Sequence, residues 1–299
     1  MTVFLMTVFL MTVFLMALGA RASFGAITMP ESACLNVALK DSIATIELDR
    51  PDKANALNGA LWREIGDAFR WVDDTPEARV AILSGAGRHF CAGIDFELMG
   101  ALLAEVETLA PGRREERLRR IILDLQAAFT ALETCRKPVL AAVQGLCVGG
   151  GLDLIAACDM RYATADTAFS LKEVDLAIVA DVGSLQRLPY LIGEGRLREL
   201  AFTARQFDAA EAHAMGLVNR VFPDAAQLRD GVRAIAATIA AKSPLTVRGI
   251  KQALNYGRDH GVTDRLHHVA TWNAAMLLSD DTREAVAAAM GKRPAKFAD

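Results

Sequence analysis

Three carboxylates carry the chemistry this chain offers. Asp153 lies in "GLCVGGGLDLIAACD", and Glu173 and Asp181 lie in "KEVDLAIVADVG". Glu173 and Asp175 stand beside Lys172, where charge is ordinary. Asp181 ends the apolar run Leu176-Ala177-Ile178-Val179-Ala180, which reads as buried. Burial disfavours an ionised carboxylate and raises its pKa towards working pH, which suits a general acid or base. Asp153 and Asp181 also have apolar neighbours on both sides: Leu152 and Leu154, and Ala180 and Val182. Taken singly, each acid reads as well as a helix cap or half of an ion pair. Together, near a glycine-rich turn, they read as acid/base equipment.

Two glycine-bearing turns accompany them. "GAGRHFCAGIDF" spans 85–96 and "GLCVGGGLD" spans 145–153. Neither has dinucleotide-binding spacing and neither is followed by a phosphate-loop lysine. Glycines opening an apolar helix leave backbone N–H groups unpaired and let a ligand approach them. The alternative is plain strand-to-helix packing. A thiol–imidazole pair at Cys91 and His89 lacks the geometry catalysis needs. His213, His260, His267 and His268 fall in helical stretches without metal-ligand partners.

Elements that could position these groups follow from periodicity. "LNVALKDSIATIELDRP" alternates as a strand pair, and Leu57, Leu61, Ile65, Phe69 and Val72 form a helical stripe. "RVAILSGAG", "PVLAAVQG" and "MRYAT" read as strands, "GGLDLIAACD" as a buried helix, and 97–135 as one long helical stretch. Beyond about residue 190 the chain turns mostly helical. This pattern predicts an α/β core with a helical C-terminal region.

Composition narrows the classes. The 299 residues are 53% hydrophobic and 23% charged, with net charge −3, so nucleic acid is not an expected partner. The basic run 113–120 is interleaved with acids and reads as a solvated helix face. Five cysteines without C-x-x-C spacing fit a reducing compartment better than disulfides or zinc. The N-terminus repeats "MTVFL" three times. A membrane span or signal peptide fits its length, but the basic region of a signal peptide is missing. The favoured reading is an upstream extension, with translation starting at a later methionine such as Met29. Residues 1–28 are therefore expected to lie outside the fold, and membrane association is not expected.

"RPDKANALN" (50–58), "GRHFCAGIDF" (87–96), "KPVLAAVQGLCVGGGLDLIAACDMRYAT" (137–164) and "GSLQRLPYLIG" (183–193) resemble the crotonase, or enoyl-CoA hydratase/isomerase, superfamily. The likeness runs from about residue 33 to the end. "KEVDLAIVADVGSLQRLP" and "ELAFTARQFDAAEAHAMGLVNRVFPD" are similar to its Δ3,5-Δ2,4-dienoyl-CoA isomerase branch. The resemblance implies an α/β spiral of ββα units over 33–225 and a helical region over 226–299 that supports trimers or hexamers. It implies an acyl-CoA thioester substrate, coenzyme A being part of that substrate, and neither cofactor nor metal. By resemblance, Ile94 and Gly150 supply the oxyanion-hole amides. Ala54, Ala92, Gly93, Asp95, Phe96, Gly149 and Gly151 contact substrate, and Asp153, Glu173 and Asp181 are catalytic. Hydratases of the superfamily match at Asp153 and Glu173 but usually carry glycine at the position of Asp181. The implied reaction is therefore isomerisation of 3,5-dienoyl-CoA in fatty acid β-oxidation, with 2-enoyl-CoA hydration as the alternative. "KANAL" departs from the pattern, having alanine where relatives often carry a larger or basic residue. The terminal "KFAD" is no peroxisomal address, which sets a cytoplasmic expectation.

Overall fold

Alternating apolar residues pair the first two strands as expected: β1 (Leu35–Lys40) and β2 (Ile43–Leu48) run antiparallel. The computed structural model describes residues 32–299. The repeat, and the reading of a start at Met29, lie outside the described residues. Asn58 caps α1 (Gly59–Asp74) by accepting the Leu61 N–H, and the helix buries Leu61, Ile65, Phe69 and Val72. Leu57 is buried too, but it precedes the helix and bridges Ile94.

The stretch expected as one helix over 97–135 is two, α2 (Phe96–Glu107) and α3 (Arg113–Thr134). Pro111 and Gly112, the latter at φ +84°, break the run. The basic run lies at the start of α3, mostly exposed, as a solvated face should.

The main sheet has the order β1-β2-β3-β4-β6-β9, with β3 (Val80–Gly85), β4 (Val139–Val143), β6 (Met160–Thr164) and β9 (Arg220–Phe222) following β2 in parallel. A second sheet holds β5 (Leu146–Val148), β7 (Ala168–Ser170) and β8 (Phe207–Asp208). Cys91 extends this second layer by bridging Cys147. The chain therefore repeats one motion. From β3 it passes through Cys91 into α2 and α3. From β4 it passes through β5 into α4 (Gly150–Ala156), and from β6 through β7 into a 3-10 turn (Glu173–Leu176). Successive passes stack in the same order in both layers, which is a spiral of ββα units. Periodicity alone reached the α/β class, and the resemblance supplied the spiral.

Both faces of the main sheet are covered, as a parallel sheet requires. Ala81 and Leu83 of β3 join the core under α1, while Val80 and Ile82 join a second cluster. That cluster is closed by Leu228, Val232 and Ala236 of α9 (Ala225–Ala240), which straddles the boundary between the two regions read from sequence. Before it come α5 (Ser184–Arg187), α6 (Pro189–Ile192), α7 (Glu194–Thr203) and α8 (Ala209–Met215). After it come α10 (Pro244–Tyr256), α11 (Val262–Met276) and α12 (Asp280–Met290). These last three bury little, and Leu254, Leu266, Leu278 and Met290 stand exposed. Among the described residues, no helix is long and apolar enough to cross a membrane.

Candidate active site

The two glycine turns meet because the second layer joins them. Cys91 N–H donates to Leu146 O (3.0 Å) and Val148 N–H to Cys91 O (3.0 Å), so 91–95 runs beside β5. On its other side, Leu57 N–H donates to Gly93 O (2.8 Å) and Asp95 N–H to Leu57 O (3.1 Å). In a parallel bridge these bonds use the neighbours of Ile94 and leave its own N–H aimed away from Leu57. Gly150, as the first residue of α4, likewise has no intrahelical acceptor. Neither amide donates a hydrogen bond among the described residues. A β-carbon built on Gly150 falls 4.0 Å from Ile94 N, so the two donors share one spot, and both residues line the same cavity.

Two glycines hold this arrangement. Gly93 has φ +93° and a β-carbon there would meet Val148 O at 3.0 Å. Gly149 has φ +50°, donates to Ser170 O (2.9 Å), and would place a β-carbon 3.1 Å from Glu173 Oε1. The glycine brings the acid up against the amide cradle.

The cavity, about 490 Å³, is walled mainly by apolar side chains: Trp62 of α1, Met99 and Leu102 of α2, and Ile121, Ile122 and Leu125 of α3. Trp62 stacks on Phe129 at 4.9 Å and donates to Leu125 O (2.9 Å), locking α1 to α3. Asp153, Glu173 and Asp181 all reach this one cavity. Asp153 is fully buried, and its Oδ1 accepts the Ser184 N–H at 2.5 Å. Its Oδ2, like Glu173 Oε2, is buried with no partner in the protein. Burial, with the charges of Glu173 and Asp181 adding to it, pushes the Asp153 carboxyl up to about 7. Burial also raises Glu173, which the Asp181 charge lifts further, and burial raises Asp181. Carboxyls raised by burial on an apolar wall, two of them with an unpartnered oxygen, are suited to proton transfer.

The apolar run before Asp181 is not core, which corrects the sequence reading. Leu176, Ile178 and Val179 are exposed in the chain, and only Ala180 of the run is buried. The 3-10 turn closes at Ala177 with φ +57°, and Leu176 and Ile178 then wall the cavity. These residues are apolar because they face a binding space.

The other assigned positions divide. Ala92, Gly93, Phe96 and Gly149 line the cavity; Ala54, Asp95 and Gly151 do not. Asp95 is held by Arg50 (3.0 Å) and caps α2 through the Glu97 N–H. Ala54 O accepts the Ala92 N–H (3.0 Å), supporting the turn from behind. A β-carbon on Gly151 would meet Cys91 O and Cβ at 2.9 Å, so that glycine serves packing. His89 and Cys91 form no nucleophilic pair: His89 Nδ1 accepts the Leu146 N–H, and the Cys91 thiol donates to Asn55 O. Burial pushes that thiol up to about 12. Among the described residues no group of three or more His, Cys, Asp or Glu is arranged to hold a metal ion.

Sequence reasoning missed Ser184 and Gln126. Gln126 Nε2 donates to Asp181 O at 2.6 Å, fixing the acidic turn to α3. Ser184 follows Gly183 within a quoted motif, so a helix-start donor was signalled. Nothing in the sequence links Gln126 to a turn so far along the chain.

Comparison with known proteins follows this geometry. The sequence pattern described as "Enoyl-CoA hydratase/isomerase" matches residues 38–299. An Arabidopsis thaliana protein named "Delta(3,5)-Delta(2,4)-dienoyl-CoA isomerase, peroxisomal" is 48% identical over 276 residues, 91% of this chain and 99% of that protein. A Rattus norvegicus protein of the same activity, named mitochondrial, is 46% identical over 252 residues, 84% of this chain and 77% of that protein. The crystal structure of an enoyl-CoA hydratase from Bacillus anthracis superposes with TM-score 0.81 at 31% identity, covering 89% of this chain and 99% of that one. These relatives overturn the cytoplasmic expectation, since they are named peroxisomal or mitochondrial. Receptor-read addresses are independent of the fold, so the fold does not decide between these locations.

Proposed function

Because the chain belongs to the enoyl-CoA hydratase/isomerase family, we propose that it isomerises 3,5-dienoyl-CoA thioesters to 2,4-dienoyl-CoA, the activity for which its relatives are named. The observation that carries this reading is Asp181 on the apolar cavity wall with Glu173 and Asp153. The reaction removes a proton from C2, spreads the electron pair through a trienolate to the thioester oxygen, and returns a proton at C6. Atoms and electrons balance within the substrate, so no redox partner is required. The Ile94 and Gly150 amides receive the charge that develops on the oxygen, and such a donor is typically worth about 3 kcal/mol. Proton loss and gain lie several carbons apart, beyond the easy reach of one carboxyl. Glu173 and Asp181 are the proton-transfer pair, one near C2 and the other near C6. Asp153, anchored by the Ser184 N–H, orients and tunes them.

Turnover needs one member of the pair protonated and the other ionised. The pH profile of kcat is therefore bell-shaped, its limbs belonging to the pair and not to either residue. Both limbs are shifted upward from ordinary carboxylate values, because burial raises both acids. A profile flat from pH 4 to 9 would contradict this assignment.

The experiment that tests the function is turnover of a synthetic 3,5-dienoyl-CoA, followed by the longer-wavelength absorbance of the conjugated 2,4-diene. Hydration of a 2-enoyl-CoA, the second reading, would instead remove enoyl absorbance. It is favoured only if water is added faster than double bonds move. The apolar side chains exposed on α10, α11 and α12 support self-association as a trimer or hexamer. Light scattering on the purified chain distinguishes these from a monomer.

A further inference from the structure

Asp181 differs from the other two acids in touching a second space. Behind the wall at Asp181 and Val182 lies a polar basin of about 680 Å³. Its lining includes Thr130, Glu133, Gln186, Arg187, Asn255 and Arg258. Asp153 and Glu173 line the apolar cavity and not this basin, while Asp181 lines both. Glu133 holds Arg187 (2.7 Å) on one side and pairs with Arg258 on the other, while Asp259 adds a further carboxylate to the lining. Arg187 also donates to Val182 O (3.3 Å) and Thr130 Oγ1 (3.4 Å), fixing the basin's inner rim. A space of this size with many polar partners holds water.

A reaction run by two separate acids leaves a debt after every turnover. The base has gained the C2 proton and the donor has lost the proton now on C6. Neither can act again until a proton moves from one to the other or each exchanges with solvent. While acyl chain fills the apolar cavity, water is excluded from that side. We propose that Asp181 is the solvent-exchanging member of the pair, trading its proton with water in the polar basin, and that Glu173 is reset through Asp181. This rests on the isomerase reading above. Gln126, which holds the Asp181 backbone at the rim of the basin, is a positioning residue for the same step.

The order of events does not alter the expected label. If Asp181 is the base, the C2 hydrogen it accepts exchanges before being passed to Glu173. If it is the donor, it is recharged from the basin before delivering to C6. Either way, turnover of unlabelled 3,5-dienoyl-CoA in D2O places one solvent deuterium at C6, read by mass spectrometry and NMR of the product. Product whose C6 has gained the hydrogen removed from C2, and no deuterium, would overturn the proposal while leaving the isomerase assignment intact. No 2,4-dienoyl product at all would sink both. Filling the basin separates this route from exchange through the cavity mouth. Gln186 is exposed, so Gln186→Leu leaves the fold alone, and Thr130→Leu is the deeper block. Each should lower kcat several-fold with KM unchanged, enlarge the solvent isotope effect, and raise the fraction of product retaining substrate hydrogen. Wild-type kcat and labelling in both variants would show that the basin is not the route.

Discussion

The amide cradle and the acidic wall line one cavity but are made of opposite materials. The cradle at Ile94 and Gly150 is backbone, fastened between Leu57 and β5 and buried in the second layer. A β-carbon added at Gly93 or Gly149 would strain it, yet it uses no side chain for its chemistry. The wall is side chain, Asp153 coming from buried α4 and the other two acids from a short 3-10 turn and a loop whose apolar residues Leu176, Ile178 and Val179 stand exposed. It is held by few bonds, chiefly Ser184 N–H to Asp153 and Gln126 to Asp181 O. Stabilising an oxyanion requires fixed dipoles, which rigid backbone supplies. On the proposed reading, the choice between adding water and moving double bonds falls to the acids, which a loop can vary without disturbing the sheet.

The largest effect belongs to the wall. Asp181→Asn keeps shape but can neither take nor give a proton, and kcat for isomerisation should fall about 10²- to 10⁴-fold. Glu173→Gln should fall in the same range. Either variant keeping most of its activity would break the division of labour. Next comes the cradle. Gly149→Ala forces a β-carbon at φ +50° to within 3.1 Å of Glu173 Oε1. Displacing one oxyanion donor should cost about 10²-fold in kcat, plus roughly 1–3 kcal/mol of stability for a side chain held at that positive φ. A loss of stability with unchanged kcat would show that the Gly150 amide lies outside the reaction.

A smaller effect separates the acids from one another. Asp153 has a folded pKa of about 7, above its ordinary 3.8. The folded state therefore binds its proton more tightly than the unfolded state. Stability attributable to Asp153 is fully present below the unfolded value and is lost as pH rises through the folded one. Asp153→Asn removes this loss. The variant should melt higher than wild type at pH 8 and close to it at pH 4, with the gain at pH 8 at most about 4 kcal/mol. Thermal melts at the two pH values test it; a variant less stable than wild type at both would mean that Asp153 is needed ionised for folding.

Which parts of this were legible in the sequence follows from where the information lies. Strands and α1 carry their own periodicity, and all three acids were visible as carboxylates beside apolar residues. Their convergence was not, since nothing local brings 150–153 to 173–181; the resemblance supplied it. The run before Asp181 was misread as core because an apolar residue facing an acyl cavity looks the same in sequence as one facing a sheet. Pro111 and Gly112 were readable as a break in the stretch 97–135, yet helix-forming residues on both sides masked them. The resemblance put Gly151 with Gly149 at the substrate, although one packs against Cys91 and the other takes a positive-φ turn. Gln126 and the polar basin are wholly tertiary, and no sequence signal marks them.

The smallest effect expected is none, and it tests how closed the cradle stays. All five cysteines are buried and free. Cys91 and Cys147 bridge directly beneath the glycine turn, and the place where a Gly151 β-carbon would sit is 3.3 Å from Cys91 Sγ. Burial pushes the Cys91 thiol up to about 12 and raises Cys147 as well, so almost no thiolate exists near neutral pH. Iodoacetamide at pH 7.5 should leave native activity unchanged and the thiols unlabelled by mass spectrometry, while urea-unfolded chain takes up five labels. Modification of Cys91 in the native protein, with loss of activity, would mean that the second layer opens between Cys91 and β5. The backbone cradle would then be the mobile partner, and the contrast with the acidic wall would reverse.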